Sequence, residues 1–181
     1  MATRVEIVVL GLVAEEPMHG YDLLERFRTR SMGFWTELSR ASVYQVLKRL
    51  ERDGSVAGKA QEGREGPDRR VFRITKRGRE QLAAGVARMA GELVPFDSAA
   101  GVALGFAHVL PVTVARAAAD ARERAVRDLL DAVRTELGRT ASERDAGRAV
   151  SIAMLHQQEA MAEAELAWLV TYRAAIGKVR R

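Results

Sequence analysis

The first half of the chain alternates apolar and polar residues with the period of an α-helix. Apolar side chains recur every three or four positions, which predicts amphipathic helices that pack on a common core. The predicted helices span residues 5–14, 19–30 and 39–54. In the third helix the apolar stripe consists of four aliphatic residues: Val43, Val46, Leu47 and Leu50. Ser39 or Ser42 is the expected N-cap of this helix, and Gly54 is expected to end it.

The other side of the third helix is polar and has no carboxylate at its centre. A helical projection places six side chains there: Ala41, Gln45, Lys48 and Arg52, flanked by Tyr44 and Arg49. Such a surface fits two interpretations, a solvated helix face or a face that recognises another molecule. The segments that follow in the chain decide between them.

A β-hairpin and a fourth helix follow the third helix. Residues 55–62 and 70–74 have β-type composition and enclose a loop with two glycines and a proline, which predicts a hairpin. Thr75 is the expected N-cap of a helix that reaches about Val94, before Pro95. Three helices, a hairpin and a further helix are the order of a winged helix-turn-helix domain. In that fold the third helix enters the DNA major groove and the hairpin, or wing, reaches the backbone or the minor groove.

Positive charge is concentrated in the same region. Residues 40–79 contain twelve Lys or Arg and five Asp or Glu, a net charge of +7, whereas the whole chain carries +5. A local basic region in an otherwise balanced chain is typical of nucleic-acid binding. We therefore interpret residues 1–94 as a DNA-binding domain whose third helix recognises DNA. The alternative is a winged-helix adaptor that binds another protein and no nucleic acid.

Residues 95–181 are rich in helix-forming residues and predict a second, α-helical domain, so that the fold class is mainly α. We expect a buried helix within the uncharged run of residues 98–115, an amphipathic helix over residues 113–138, and a long last helix from Ser142 to about Lys178. The expected apolar side of the middle helix is Ala121, Val126, Leu129, Leu130 and Val133. Apolar residues of the last helix recur at steps of three, four and seven: Val150, Met154, Met161, Ala164, Trp168 and Ala175. Because a helical tail of this size is marginal alone, we expect this seam to hold a homodimer.

Little in the sequence indicates an enzyme. His19, His108 and His156 are far apart, there is no cysteine, and no metal-binding spacing or nucleophile motif occurs. We therefore expect no catalytic activity, no metal and no cofactor. The longest uncharged run, residues 98–115, is interrupted by glycines and by Pro111, so we expect no membrane span and a cytoplasmic protein.

The sequence also resembles a known protein family. Three segments within residues 5–82 carry the resemblance: IVVLGLVAEEPMHGYDLLERF, SVYQVLKRLERDGSV and PDRRVFRITKRGREQL. Together they are similar to the PadR family of bacterial transcriptional regulators. The resemblance implies a homodimeric DNA-binding protein, usually a repressor. It also implies that the C-terminal helices form the dimer and that a small molecule often relieves DNA binding.

The family pattern implies which side chains contact DNA. In the helices these are Tyr21, Ser42, Tyr44, Gln45, Lys48 and Arg49, and in the wing they are Arg64, Arg69 and Arg70. The amide of Gln45 can pair with adenine through two hydrogen bonds, whereas lysine and arginine neutralise phosphates. Tyr44-Gln45 stands where the family commonly has Tyr-Pro, and Gly54-Ser55 stands where it commonly has Gly-Leu. The first departure lies on the groove-facing side, so the operator sequence cannot be transferred from relatives.

An effector is also expected. The resemblance and the two tryptophans, Trp35 and Trp168, indicate a small apolar or aromatic molecule that binds between the dimerising helices and the DNA-binding domain. The expected partners are therefore a double-stranded, palindromic DNA operator, a second copy of the chain and such an effector.

Overall fold

The chain divides into two compact units. A computed structural model describes residues 2–34, 36–61, 69–92, 99–140 and 146–178. The N-terminal unit comprises Met1–Glu92 and the C-terminal unit Leu93–Arg181. Each unit has its own buried clusters of apolar residues.

The N-terminal unit has the predicted winged helix-turn-helix order. Its helices are α1 (Arg4–Glu15), α2 (Gly20–Thr29), α3 (Arg40–Arg52) and α4 (Lys76–Gly91). Its strands are β1 (Met18–His19), β2 (Val56–Gln61) and β3 (Arg69–Ile74), which form an antiparallel sheet in the order β1-β3-β2. Periodicity did not predict β1, because a strand of two residues is too short to show an alternation. Helix α4 ends at Gly91, earlier than the predicted end near Val94, and Glu92 is its C-cap.

The core of this unit confirms the apolar stripe that the sequence predicts for α3. Val43, Val46, Leu47 and Leu50 are all buried, and they pack with aliphatic residues of α1, with Leu23 and Phe27 of α2, and with Phe72 and Ile74 of β3. Burying side chains of this kind stabilises the fold by about 1.5–3 kcal/mol each. The stripe therefore fixes which side of α3 faces outward.

Both ends of α3 are set by local chemistry. The hydroxyl of Ser39 accepts a 3.1 Å hydrogen bond from the amide of Ser42, and the hydroxyl of Ser42 accepts a 3.0 Å hydrogen bond from the amide of Ser39. Of the two serines predicted as possible N-caps, Ser39 is the cap. Gly54 has a φ of +73°, the left-handed conformation that glycine adopts without steric cost at the end of a helix.

The loop after α3 is anchored to the start of α4. The hydroxyl of Thr75 accepts a 3.1 Å hydrogen bond from the amide of Gly78, which confirms Thr75 as the N-cap. The same hydroxyl donates to the carbonyl of Gly54 over 2.7 Å. A Cβ on Gly78 would lie 2.1 Å from the backbone oxygen of Ser55, so only glycine fits at this crossing. The C-terminal end of α3 is therefore rigidly connected to α4.

The C-terminal unit is helical, as predicted. It contains α5 (Ala99–Phe106), a 3₁₀ turn (Ala107–Val109), α6 (Val112–Thr140) and α7 (Ala146–Lys178). Helices α6 and α7 pack antiparallel, because Ala115 near the start of α6 clusters with Ile176 near the end of α7. The predicted cap Ser142 lies outside the described residues.

Two predictions about burial in this unit are wrong for the single chain. Ala121 and Leu129 of α6 are exposed, whereas Ala115 and Ala119 share the buried side with Val126, Leu130 and Val133. The sequence predicts a buried helix within residues 98–115, but in the described part of this run only Leu104, Ala107 and Ala115 are buried. The apolar composition of this segment therefore does not distinguish a buried core helix from an exposed apolar surface that a partner could cover.

Within the part of the chain that the structure describes, no helix is both long enough and apolar enough to cross a membrane.

Candidate nucleic-acid interface

The outward side of α3 presents a polar stripe without an acidic residue at its centre. Gln45 and Lys48 are exposed and lie three positions apart, so they are neighbours on the helix surface. Ala41 and Arg52 extend the stripe along the helix, and Arg52 lies 3.4 Å from the carboxylate of Asp53. Lys48 forms no ion pair with any described residue, so its charge is available to an anionic partner.

Two tyrosines border this stripe, and a close approach by Gly20 positions one of them. A Cβ on Gly20 would lie 2.8 Å from Cε1 of Tyr44 and 3.3 Å from Cδ1 of Leu47. Because Gly20 at the start of α2 has no side chain, α3 approaches α2 closely here. The Tyr44 ring packs against the backbone at Gly20. Tyr44 remains 43% exposed and Tyr21 is 59% exposed, which leaves both rings accessible from outside.

Two of the predicted contact residues on α3 are already engaged within the protein. The hydroxyl of Ser42 donates a 2.8 Å hydrogen bond to the carbonyl of Ser39 as part of the helix cap. Arg49 forms an ion pair with the buried carboxylate of Glu6, with 2.9 Å between Nε and Oε1. Nε of Arg49 makes no hydrogen bond among the described residues, so this contact is electrostatic. Both side chains thus hold the structure together in the free protein.

The wing is attached to α3 through the predicted contact residue Arg70. Its guanidinium forms an ion pair with Glu51 of α3 and lies 5.9 Å from the centre of the Phe72 ring. Nδ1 of His19 lies within 3.1 Å of the backbone oxygen of Arg70, which links the start of α2 to the same strand. Arg69 opens β3 opposite Gln61, and Arg64 lies outside the described residues.

The side chains around Arg70 enclose a recess on the outer surface of the unit. The recess has a volume of about 520 Å³, and its walls come from α2, α3 and β3. Tyr21, Tyr44, Lys48, Glu51 and Arg70 are among the residues that line it. The structure therefore brings together predicted contact residues from three elements that are separated in sequence.

The face of the wing sheet opposite to Arg70 and Phe72 carries two cations that were not predicted as DNA contacts. In the ladder Lys59 lies opposite Val71 and Arg73 lies opposite Ala57, which places both cations on one face. Lys59 and Arg73 are exposed and have no ion-pair partner among the described residues. The alternation of buried Phe72 and Ile74 with exposed Arg73 is the signal in the sequence that could have identified this face.

The predicted dimerisation seam lies on the surface of α7. Val150, Met161 and Trp168 are 65%, 51% and 44% exposed, Ala164 is exposed and Met154 is half-buried. A different side of α7 is buried and consists of Ser151, Leu155, Ala162, Leu169 and Ile176. On this side Ala162 and Ile176 pack against residues of α6. The single chain therefore leaves an apolar helix face uncovered.

The N-terminal unit, with its outward-facing α3 and its wing, matches a known protein family. Residues 9–84 match the model of the transcriptional regulator PadR-like family. Residues 9–84 form a PadR-like domain. The family is one of transcriptional regulators rather than of enzymes, and the match confirms the resemblance seen in the sequence. No curated protein matches the chain in sequence.

Solved structures share the fold over nearly the whole chain. PadR from Bacillus subtilis in complex with operator DNA has a TM-score of 0.78 at 17% identity and covers 96% of this chain and 99% of its own. The same protein in complex with p-coumaric acid has a TM-score of 0.78 at 16% identity and covers 97% and 100%. The virulence activator AphA from Vibrio cholerae has a TM-score of 0.72 at 16% identity and covers 97% and 99%. At these identities the likeness establishes the fold alone.

Proposed function

We propose that this protein is a sequence-specific DNA-binding transcriptional regulator. The observation that carries the proposal is the outer side of α3, which exposes Gln45 and Lys48 while the other side is buried in the core. Lys48 has no ion-pair partner among the residues that the structure describes. A helix held in this way can enter the major groove, whose width accommodates an α-helix. We call α3 the recognition helix from here on.

The side chains of the recognition helix divide into two roles in this proposal. Gln45 carries an amide that can donate to and accept from the edge of adenine, so it reads sequence. Lys48 carries a point charge that neutralises phosphate or meets a guanine acceptor, so it contributes mainly affinity. Lys59 and Arg73 on the wing extend the positive surface to the flanking backbone.

The protein is proposed to act as a homodimer. The uncovered apolar face of α7 supports this, because a second copy would bury Met161 and Trp168 against the same face across a two-fold axis. Two recognition helices would then meet major-groove faces about 10 bp apart, and the operator would be palindromic. Such a protein works in the cytoplasm, where bacterial DNA lies.

Regulation is proposed to be repression that a small apolar or aromatic molecule relieves. Repression is proposed because members of the family that the sequence resembles are usually repressors. The structures of Bacillus subtilis PadR with operator DNA and with p-coumaric acid support both kinds of partner for this fold. A panel of phenolic acids and cationic aromatics tests the effector through tryptophan emission and operator affinity. No change in either measurement with any of these compounds would contradict an effector of these classes.

Selection of bound duplexes from a random pool tests the proposed function. We expect a palindromic consensus whose half-sites are about one helical turn apart. Retention of all duplexes without a consensus would contradict sequence-specific binding. No retention even at low salt would contradict DNA binding altogether and favour a winged-helix adaptor that binds protein.

A further inference from the structure

Glu51 and Arg70 connect the recognition helix to both strands of the wing. We propose that Arg70 is a positioning residue: its ion pair with Glu51 fixes the orientation of the wing relative to the recognition helix, and its charge does not neutralise a phosphate. This inference rests on the proposed DNA-binding function and assigns Arg70 a role that differs from the direct DNA contact expected from the sequence.

The connection runs through a single carboxylate oxygen. Oε1 of Glu51 accepts a 3.1 Å hydrogen bond from the amide of Gly58 in β2 and also accepts from Nη2 of Arg70 in β3. The same Nη2 donates to the carbonyl of Gly58 over 3.2 Å. One side chain of the recognition helix therefore binds a backbone group of one wing strand and a side chain of the other.

The ion pair approaches the backbone of β2 closely at Gly58. A Cβ on Gly58 would lie 2.5 Å from Oε1 of Glu51 and 2.9 Å from Nη2 of Arg70. Glycine inside a strand weakens it, and it often marks a place where another group approaches the backbone closely. Here the approaching group is the ion pair itself. Because Gly58 has no side chain, it leaves room for the pair.

Other contacts also hold Arg70 in place. Its guanidinium lies 5.9 Å from the centre of the Phe72 ring, and its backbone oxygen lies 3.1 Å from Nδ1 of His19. The adjacent carboxylate of Glu51 opposes the positive charge that Arg70 would present to DNA. By contrast, Lys48 and Arg73 have no ion pair among the described residues, and they remain available to phosphates.

The test compares Glu51→Gln, Arg70→Gln and the double variant, with Arg73→Gln as the matched control on the outer face of the wing. Operator affinity is measured for each over a salt series, and thermal unfolding verifies that each variant is folded. The sign of the Glu51→Gln effect is decisive. Removing a negative charge beside DNA strengthens binding if electrostatics alone act, whereas losing the positioning contact weakens it.

We expect Glu51→Gln and Arg70→Gln each to weaken operator binding, by roughly threefold to tenfold, as for one partly exposed charged contact. The slope of log affinity against log salt should stay unchanged, and the double variant should lose about as much as either single variant. Arg73→Gln should instead make the slope shallower by about one unit, as the loss of one phosphate contact does. Tighter binding by Glu51→Gln, a shallower slope for Arg70→Gln, or multiplicative losses in the double variant would overturn the proposal.

A measurement without DNA separates this inference from the proposed function. Hydrogen exchange of the Gly58 amide should be faster in Arg70→Gln than in the unmodified protein, because the acceptor Glu51 is then no longer held in place. Unchanged exchange would overturn the positioning role even if the protein binds DNA. If the unmodified protein binds no DNA, faster exchange in Arg70→Gln still supports the contact while the proposed function fails.

Discussion

The hydroxyl of Ser55 donates a 2.6 Å hydrogen bond to Oε1 of Gln81, and this contact joins the loop after the recognition helix to α4. Ser55 is fully buried, and its amide also donates to the carbonyl of Leu50 over 2.8 Å. The PadR pattern commonly has leucine at this position. The structure explains the departure, because the polar serine has a polar partner in Gln81.

Breaking the contact between Ser55 and Gln81 is expected to destabilise the N-terminal unit. Ser55→Ala leaves Oε1 of Gln81 without the buried hydroxyl that donates to it. The variant should lower the free energy of unfolding by about 1–2 kcal/mol. Chemical denaturation of Ser55→Ala, Gln81→Ala and the double variant measures the coupling between the two residues. Strictly additive losses would show that the hydrogen bond contributes nothing.

The close approach of α4 to the loop after the recognition helix gives a second prediction. In Gly78→Ala the new Cβ meets the backbone oxygen of Ser55, which cannot move aside as a flexible side chain can, so the variant should lose about 2–3 kcal/mol of stability. Gly11→Ala in α1 is the matched control, because a Cβ there meets nothing within 4 Å. It should gain about 0.5–1 kcal/mol. Similar values of the unfolding free energy for both variants would contradict the packing described at Gly78.

The dimer seam predicts different outcomes for two exposed apolar residues of α7. Met161→Glu places a charge in the seam and should raise the dimer dissociation constant at least about tenfold, since an interface core excludes unpaired charge. Val170→Glu is the control: Val170 is 68% exposed but lies two positions from Trp168, on another side of the helix. Sedimentation analysis of both variants measures the effect. A Met161→Glu protein that remains as dimeric as Val170→Glu would exclude the seam as the interface.

Two ion-paired glutamates predict how the C-terminal unit responds to acid. Hydrogen bonds from Arg127 and Arg173 lower the pKa of Glu123, and hydrogen bonds from Arg134 and His156 lower the pKa of Glu159. The folded-state pKa values of both glutamates lie below those of the unfolded chain. The stabilisation that their ion pairs give to the folded state is therefore fully present at a pH above the unfolded-state pKa. This stabilisation is lost as the pH falls through the folded-state pKa values.

Thermal unfolding between about pH 7 and about pH 3, which spans the ordinary glutamate pKa, measures this dependence. Glu123→Gln and Glu159→Gln should each reduce the loss of stability on acidification. Asp128→Asn is the control, because Asp128 makes no ion pair within the described part of the chain. A pH dependence that is the same in all three variants would contradict the assignment.

Local features of the fold were predictable from sequence, whereas pairing between distant residues was not. The stripe of Val43 and Leu50 determines which side of α3 is buried, and Thr75 marks the start of α4, because both signals lie within a few residues. The partner of Arg49 is Glu6, which lies far away in the sequence and is brought near only by the packing of α1 on α3. The exposure of Leu129 likewise depends on where α7 packs, and this is not encoded in α6 alone.

The central claim is that the recognition helix reads DNA sequence, and comparison of Gln45→Ala with Lys48→Ala tests it most directly. Binding of both variants is measured on the selected operator and on random duplex over a salt series. Gln45→Ala should lose about 1–3 kcal/mol on the operator and little on random DNA, the range for one bidentate base contact. Lys48→Ala should weaken binding to both DNAs alike and make the salt slope shallower by about one unit. Equal losses on both DNAs for Gln45→Ala would show that this residue does not read sequence and would contradict the account.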